Sequence, residues 1–426
     1  MPEKIVRDPV HDVIAFRTER AGDALLFALL NAAEFQRLRR IRQLGMASLA
    51  YPSAEHSRYS HSLGVMEAAR KMLAQLGQSI KIEPADELAC VAASLLHDVG
   101  HGPFSHVFER VSGIEHEKLT RRIIEDPGSD VHQILANHDP SLPGRVVDLL
   151  NHHGPSPLFC DILSSQLDAD RLDYLLRDNL MTGSRYGDYD LGWLLHSLTT
   201  DESSGRLAVT WKGVSAVEAY LQSRYHMYRN VYFHKVVRAA EGMVKLALQR
   251  ARRLMVQDRL QWPPRDHAVS KALTGQRLTI EEYTDLDDVS VLHCFKTWAT
   301  ADDAPLAELC RGLLYRRLFK TLDITHLCES DANAAFLRAQ SAVAAAGGDP
   351  AYHLFYDEPS DTPYEVYQQD SCGPSGEILV RDPTGRLTPF TALSPLPAAL
   401  NRQLMFRRIH VAAQWRDVVR KSLGLS

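Results

Sequence analysis

The sequence predicts a mainly α-helical protein that ends in a small α+β region. Three observations predict this. Apolar residues recur at helical spacing through most of the first 330 positions, turn-forming residues punctuate those stretches, and from Gly347 onward Gly and Pro become dense while strand-like runs appear. Taken in order, Ile5 to Phe16 reads as extended chain interrupted by Pro9. Phe35, Leu38, Ile41 and Leu44 recur at threes and predict a helix stopped at Gly45. Leu63, Met66, Ala69, Leu73 and Leu76 form a second apolar stripe, with Gly77 at its end. Leu88, Val91 and Leu95 lead a third helix into His97-Asp98, which Gly100-His101-Gly102-Pro103 breaks. Helical patterns continue through 164–179, 214–254 and 305–322, after which 378–381 reads as a strand and 409–423 as a closing helix. The expected division is a helical body over 1–330, with its motif-bearing core at about 35–240, and an α+β region over 331–426.

Composition narrows the function classes. A chain of 426 residues can bury a large core. Its 48 Lys and Arg against 53 Asp and Glu give a net charge of −5, which argues against nucleic acid as the main partner. Met-Pro-Glu-Lys at the N-terminus lacks the apolar core of a signal peptide, and the apolar stretch from Leu88 to Leu96 is too short to cross a bilayer. A cytoplasmic protein without a membrane partner is expected. Cysteines at 90, 160, 294, 310, 328 and 372 show no Cys-x-x-Cys spacing, so neither a disulfide framework nor a thiolate zinc site is expected. Cys90, within an apolar helical stretch, reads as a core residue.

The chemistry concentrates on histidine and aspartate. His-Asp occurs three times, at 11–12, 97–98 and 138–139, so the dipeptide alone says little. His97-Asp98 stands out because His61 lies near the start of one predicted helix and Asp170 near the start of another. Two imidazoles and two carboxylates form an N/O donor set that leaves room for water on an octahedral ion, and it suits Mn, Fe, Co, Ni, Mg or Zn. A single such histidine is more often a satisfied core residue; the set of four carries the metal reading. Tyr174 follows Asp170 by one helical turn and Asp178 follows by another. Arg224, Tyr228, Tyr232 and Lys235 recur at four, four and three, forming one stripe along a predicted helix. Such stripes usually pack in a core, but two cations at its ends suit a polyphosphate. The run Arg37, Arg39, Arg40, Arg42 reads by default as a solvated face.

An ordered series of motifs joins these residues: Asp8-Pro-Val-His11, Phe35-Gln-Arg-Leu-Arg39, Gln43-Leu-Gly45, His56-Ser-Arg-Tyr-Ser-His61-Ser-Leu-Gly64, Leu96-His-Asp-Val-Gly-His-Gly-Pro-Phe-Ser-His106, His116-Glu117, Asp168-Ala-Asp-Arg-Leu-Asp-Tyr174 with Arg177-Asp178, and Arg224 to Lys235. The series covers about residues 4–240 and resembles the HD superfamily of metal-dependent phosphohydrolases. Within it, the match is to the deoxynucleoside-triphosphate triphosphohydrolase branch that includes dGTPases and sterile-alpha-motif/HD enzymes. The resemblance implies a helical HD core, with His61, His97, Asp98 and Asp170 as ligands of one divalent ion and a second Mg carried on the substrate phosphates. It implies that water activated at the metal attacks the α-phosphorus of a dNTP, giving deoxynucleoside and triphosphate. His101, His106 and His116 are candidates to protonate the leaving oxygen or hold phosphate, with Glu109 orienting His106. Arg58, Arg171, Arg224 and Lys235 would face phosphates, Tyr174 would exclude a 2′-hydroxyl, Gln43 and Asp178 would hold the 3′-hydroxyl, and Leu44, Tyr228 and Tyr232 would complete the nucleotide site. Regulated members bind an activating nucleotide between subunits through arginines matching the 37–42 run. Here Asn31, Ala33 and Asp12 depart from the regulated pattern. A homo-oligomer, dimer or tetramer, is expected by the same resemblance. The competing readings are an HD phosphohydrolase of another phosphoester, such as a nucleoside monophosphate or cyclic nucleotide, and a non-catalytic nucleotide- or nucleic-acid-binding regulator.

Overall fold

The N-terminal extended stretch folds back on itself as a hairpin of β1 (Lys4–Asp8) and β2 (Asp12–Phe16), paired antiparallel from Lys4↔Phe16 to Asp8↔Asp12. The turn needs a left-handed residue: Asp12 has φ 64°, a conformation in which Gly is free and Asp is among the better-tolerated substitutes. The computed structural model describes residues 3–361, 377–400 and 404–425; Pro363, Cys372 and Pro374 fall outside them.

The chain is mainly α-helical. The long helix α1 (Arg58–Leu76) packs against α2 (Pro84–Leu96) and against a later helix, Ala169–Thr182. Pro84 opens α2 at a position where its missing N–H costs nothing. After α2 the chain turns sharply through Gly100, where an added Cβ would lie 2.3 Å from His116 O, and enters two helices, α3 (His106–Ser112) and α4 (His116–Glu125). Helix α5 (Ala169–Thr182) is capped by the Asp168 side chain accepting from Arg171 N, and ends at left-handed Gly183. On α1, Gly64 lets α5 approach closely, because a Cβ there would sit 1.9 Å from Asp173 Oδ1.

Two predicted helices are broken in the structure, and a third, 305–322, ends at Leu314 because Lys320–Asp323 is a strand. The threefold apolar spacing around Phe35 gives only Ala33–Arg37 and a 3₁₀ turn, Leu38–Arg40; Ile41 is extended and Arg42 bridges Ser57. The 214–254 pattern divides into α6 (Val214–Met227), a π-helical turn Tyr228–Tyr232, and α7 (Lys235–Val256), capped by the His234 side chain. Such π turns are rare and gather at functional sites. Farther on, α8 (Asp288–Trp298) buries Phe295 and Trp298.

Among the described residues, the remaining chain contributes strands to three small sheets, one of them the short pair Ser360–Asp361 with Leu404–Met405. Strands β3 (Lys320–Asp323), β5 (Arg408–Val411) and β4 (Leu354–Asp357) pair antiparallel in that spatial order, and helix Glu329–Ala345 covers them in a second apolar core that includes Leu322, Ala339, Leu354, Ile409 and Val419. The predicted closing helix therefore starts later, at Arg416, because 408–411 is a central strand. The predicted strand at 378–381 is present as Leu379–Arg381, and it pairs parallel to Leu207–Thr210 of the body. On α7, Gly242 leaves space for Phe355 of β4, where a Cβ would come within 1.9 Å. Among the described residues, no helix is long and apolar enough to cross a membrane.

Candidate active site

Three helix ends bring the four predicted ligands together. His61 lies in the first turn of α1, His97-Asp98 follows the last residue of α2, and Asp170 lies in the first turn of α5. His61 Nε2 is 3.0 Å from Asp170 Oδ1 and 4.0 Å from Asp98 Oδ2; His97 Nε2 is 3.4 Å from Asp98 Oδ1 and 3.8 Å from Asp170 Oδ1. Each ring is fixed through its other nitrogen. His61 Nδ1 is 2.8 Å from Asp173 Oδ2, and His97 Nδ1 is 2.8 Å from Ser94 O, so both rings turn Nε2 into the cluster.

This arrangement fits a divalent cation. His97 Nε2 is buried without a hydrogen-bond partner among the described residues, although buried polar atoms are normally satisfied. Two carboxylates beside two Nε2 atoms form an N/O donor set suited to such an ion. The local demand for positive charge shows in the titration of the ligands. Burial alone would depress His61, yet hydrogen bonds to Asp170 and Asp173 raise it to about 10. Burial would raise Asp98, but His97, Arg58 and His101 hold it well below the ordinary carboxylate range.

Behind the cluster lies a fully buried support. Asp173 accepts from His61, from His11 Nε2 at 2.9 Å and from Arg177 Nε and Nη2 at 2.8 and 2.7 Å. Arg177 also donates to both oxygens of Asp8, at 2.8 and 3.1 Å, and Asp8 Oδ1 accepts the backbone N–H groups of Val10 and His11, both at 2.9 Å. The Asp8-Pro-Val-His11 turn thus reaches a metal-ligand candidate through Asp173.

A cavity of about 590 Å³ opens over the cluster. Arg58 lines it, ion-paired with Asp98 and donating from Nε and Nη2 to Ser105 Oγ at 3.0 and 2.8 Å. Arg171 lines it too, paired with Asp168 and donating to Ser165 O at 2.7 Å. Tyr174, one turn beyond Asp170, contacts the Tyr232 ring at 6.2 Å; Tyr232 OH donates to Asp178 Oδ2 at 2.8 Å, and Asp178 Oδ1 lies 2.7 Å from His56 Nε2. Gln43 and Leu44 also line the cavity, and Gln43 Oε1 is buried with no partner among the described residues. His101 Nε2 lies 3.2 Å from Asp98 Oδ1, and its ring stacks on His116 with centroids 3.8 Å apart. Burial, then the nearby Arg58 charge, keeps His101 well below the usual histidine range.

Four expectations change. Lys235 is exposed at the start of α7, outside the cavity lining, because the π turn and the break at Phe233–His234 rotate it away from the aromatic stripe. Arg224 is buried beyond the lining, donating to Gln166 Oε1 at 3.1 Å with its guanidinium 5.7 Å from the Tyr228 ring. Glu109 sits closer to His116 Nδ1, at 2.9 Å, than to His106 Nδ1, at 3.4 Å, because α3 and α4 converge after the Gly113 turn. The arginine run is not a free solvated face: Arg37 is fully buried and donates to Leu286 O, Val99 O and His101 O, Arg39 lies over Tyr59, and Arg40 and Arg42 pair with Asp287 and Glu55.

Comparison with known proteins places this geometry. Residues 58–176 match the HD domain and residues 189–261 match an HD associated region. The chain is 38% identical to the uncharacterized protein YwfO of Bacillus subtilis over 86% of its own length and 82% of that protein's. A solved phosphohydrolase from Bacteroides thetaiotaomicron superposes with a TM-score of 0.81 at 26% identity, covering 96% of this chain and all of that one. The chain belongs to the HD-domain phosphohydrolase family. It is also 26% identical to a Dictyostelium discoideum relative named a deoxynucleoside triphosphate triphosphohydrolase SAMHD1 homolog, over 75% of this chain and 60% of that protein.

Of the three His-Asp dipeptides, His97-Asp98 is the one in the cluster; the other two lie in the hairpin turn and at the end of helix Asp130–His138. Sequence reasoning missed several contributors. Asp173 and Arg177 were visible only as members of a motif, since their role depends on a contact 162 residues back in the chain. Asp288, whose carboxylate accepts Phe104 N at 2.7 Å and Arg42 N at 2.9 Å, gave no local signal. Arg238 and Glu241, which line the cavity from α7, lay beyond the recognised stripe.

Proposed function

We propose that this protein hydrolyses deoxynucleoside triphosphates to deoxynucleoside and inorganic triphosphate in a divalent-metal-dependent reaction. The observation that carries the reading is continuity on α5: Asp170 of the ligand cluster, Tyr174 and Asp178 occupy successive turns and all line one cavity. Such a row can register a sugar directly beside a metal-held phosphate. His61, His97, Asp98 and Asp170 would hold the ion, which supplies polarisation of a phosphoryl oxygen and a water of lowered pKa.

The chain's own groups supply the rest. Arg58 and Arg171 bring fixed positive charge to the phosphates, each already anchored on a carboxylate and a second acceptor, so little reorganisation is needed when substrate arrives. The Tyr174 ring stands against the C2′ face, where a hydroxyl would collide, while Gln43 and Asp178 receive the 3′-hydroxyl. The departing 5′-oxygen needs a proton. His116, backed by Glu109 and stacked on His101, can deliver it, and exposed His106 extends the same cluster. The activity for which the Dictyostelium SAMHD1 homolog is named supports this substrate class.

The test is product analysis. Metal-loaded protein incubated with each dNTP and the matching rNTP, across Mn, Mg, Co and Fe, should release triphosphate from dNTPs and little from rNTPs. Orthophosphate alone, or no product from any dNTP, overturns the proposal.

A further inference from the structure

The wall that α7 contributes to the cavity differs from the rest. Val237 and Glu241, one helical turn apart, both line it, and they share the cavity with Leu44, Val107 and Tyr228. A carboxylate among apolar and aromatic groups must be held and compensated. Arg238 does both. Its Nη1 donates to Glu241 Oε2 at 2.7 Å, while Nε and Nη2 donate to Asp357 of β4 at 3.2 and 2.6 Å. The fork is committed in all three directions, so Glu241 is fixed from one side. Oε1 and the second lone pair of Oε2 are left for a ligand in the cavity. Burial pushes the Glu241 carboxyl's pKa up, and the Arg238 charge opposes that shift. Exposed Arg110 of α3 lines the same cavity, near enough for its charge to act on Glu241.

We propose that Glu241 reads the base of the bound nucleotide and selects a guanine-type edge. The inference rests on the proposed function for the ligand's being a nucleotide. A carboxylate presents two oxygens side by side, and guanine offers two adjacent donors, N1–H and the N2 amino group, while Arg110 can donate to O6. Adenine and cytosine place a ring-nitrogen lone pair next to their amino group, facing the carboxylate. Thymine has one N–H between two carbonyls. A site built to receive two N–H groups rejects a base lacking them, because a lone pair of the base then faces a carboxylate oxygen and repels it.

Two readouts separate this inference from the reaction it sits beside. The first is kcat/KM for triphosphate release from dGTP, dITP and dATP by metal-loaded wild type and Glu241→Gln; dITP differs from dGTP only in lacking the 2-amino group. The second is equilibrium binding of the corresponding analogues in which the 5′-oxygen is replaced by methylene, so that no hydrolysis can occur. Wild type should favour the dGTP form over the dITP and dATP forms by about 10- to 100-fold in both readouts. Glu241→Gln should bring those ratios within about threefold while leaving the dATP analogue's affinity within about threefold of wild type. Glu241→Asp, which keeps the charge, should retain a preference for dGTP and guards against misreading a folding defect. Wild-type ratios near one, or ratios unchanged by Glu241→Gln, overturn the inference. Glu241-dependent discrimination in binding without any triphosphate release would leave the inference standing and defeat the proposed reaction instead.

Discussion

The ligand cluster and the α7 wall solve the same problem, holding buried charge in place, by different routes. At the cluster the supports are motif neighbours: Asp173 and Arg177 lie on the same helix as Asp170, and Asp8 and His11 lie within one turn of each other. At the α7 wall the support comes from the C-terminal sheet, through Asp357, 119 residues from Arg238 in sequence. The first is therefore built where the N-terminal hairpin meets the helical body, while the second exists only when the β3–β5 sheet has docked. Damage should follow the same division: metal binding is lost from one region and nucleotide affinity from the other.

The largest expected effect is at the cluster itself. Asp98→Asn should lower dNTP turnover by about 10³-fold or more and reduce bound metal to a small fraction per chain, as read by elemental analysis. A variant that keeps full metal and activity would sink the ligand assignment. Asp173→Asn comes next. It leaves Arg177 short of a buried counter-charge and frees His61, so metal affinity should fall about 10- to 100-fold, together with a loss of about 3 kcal/mol in stability. His11→Asn isolates the positioning effect, since Arg177 keeps both Asp8 and Asp173. Metal titration should then show a smaller loss of affinity with unfolding near wild type.

This division also explains what could be read in advance. The ligands were legible because each stands at a helix end beside a helix-breaking residue or cap, and local periodicity locates helix ends. Gly64 belonged to a legible motif, but its reason, the approach of Asp173 and Arg177, needed the α1–α5 packing. Lys235 was misplaced because a π turn does not disturb a count of fours and threes in the sequence, yet rotates whatever follows. Arg37 misled for another reason. Four arginines in six positions look solvated until backbone carbonyls from the 99–101 loop and Leu286 converge on one of them. Non-local acceptors leave no periodic trace.

At the α7 wall the predictions are milder. Asp357→Asn removes the anchor of Arg238 without touching the cavity, so nucleotide affinity should weaken about tenfold, visible as a raised KM, while bound metal stays at the wild-type level. Loss of metal in that variant would show that the two regions are not independent.

The smallest effect is expected at Asp288 of α8, which ties together two segments of chain beside the cavity. Burial raises its pKa to about 6 while its oxygens accept the N–H groups of Arg42 and Phe104, which flank Gln43 and Ser105. An unfolded aspartate titrates near about 3.9. The folded state therefore binds the proton more readily between about pH 4 and about pH 6, and Asp288 contributes stability that is gained as pH falls through that window and lost as it rises. Asp288→Asn cannot titrate. Thermal unfolding should accordingly show wild type improving relative to the variant as pH is lowered from about 6 to about 4, whatever the offset between them at neutral pH. A difference that stays flat, or that moves in the variant's favour, would mean that the two backbone N–H groups hold Asp288 ionised and that the loop junction is charged under all working conditions.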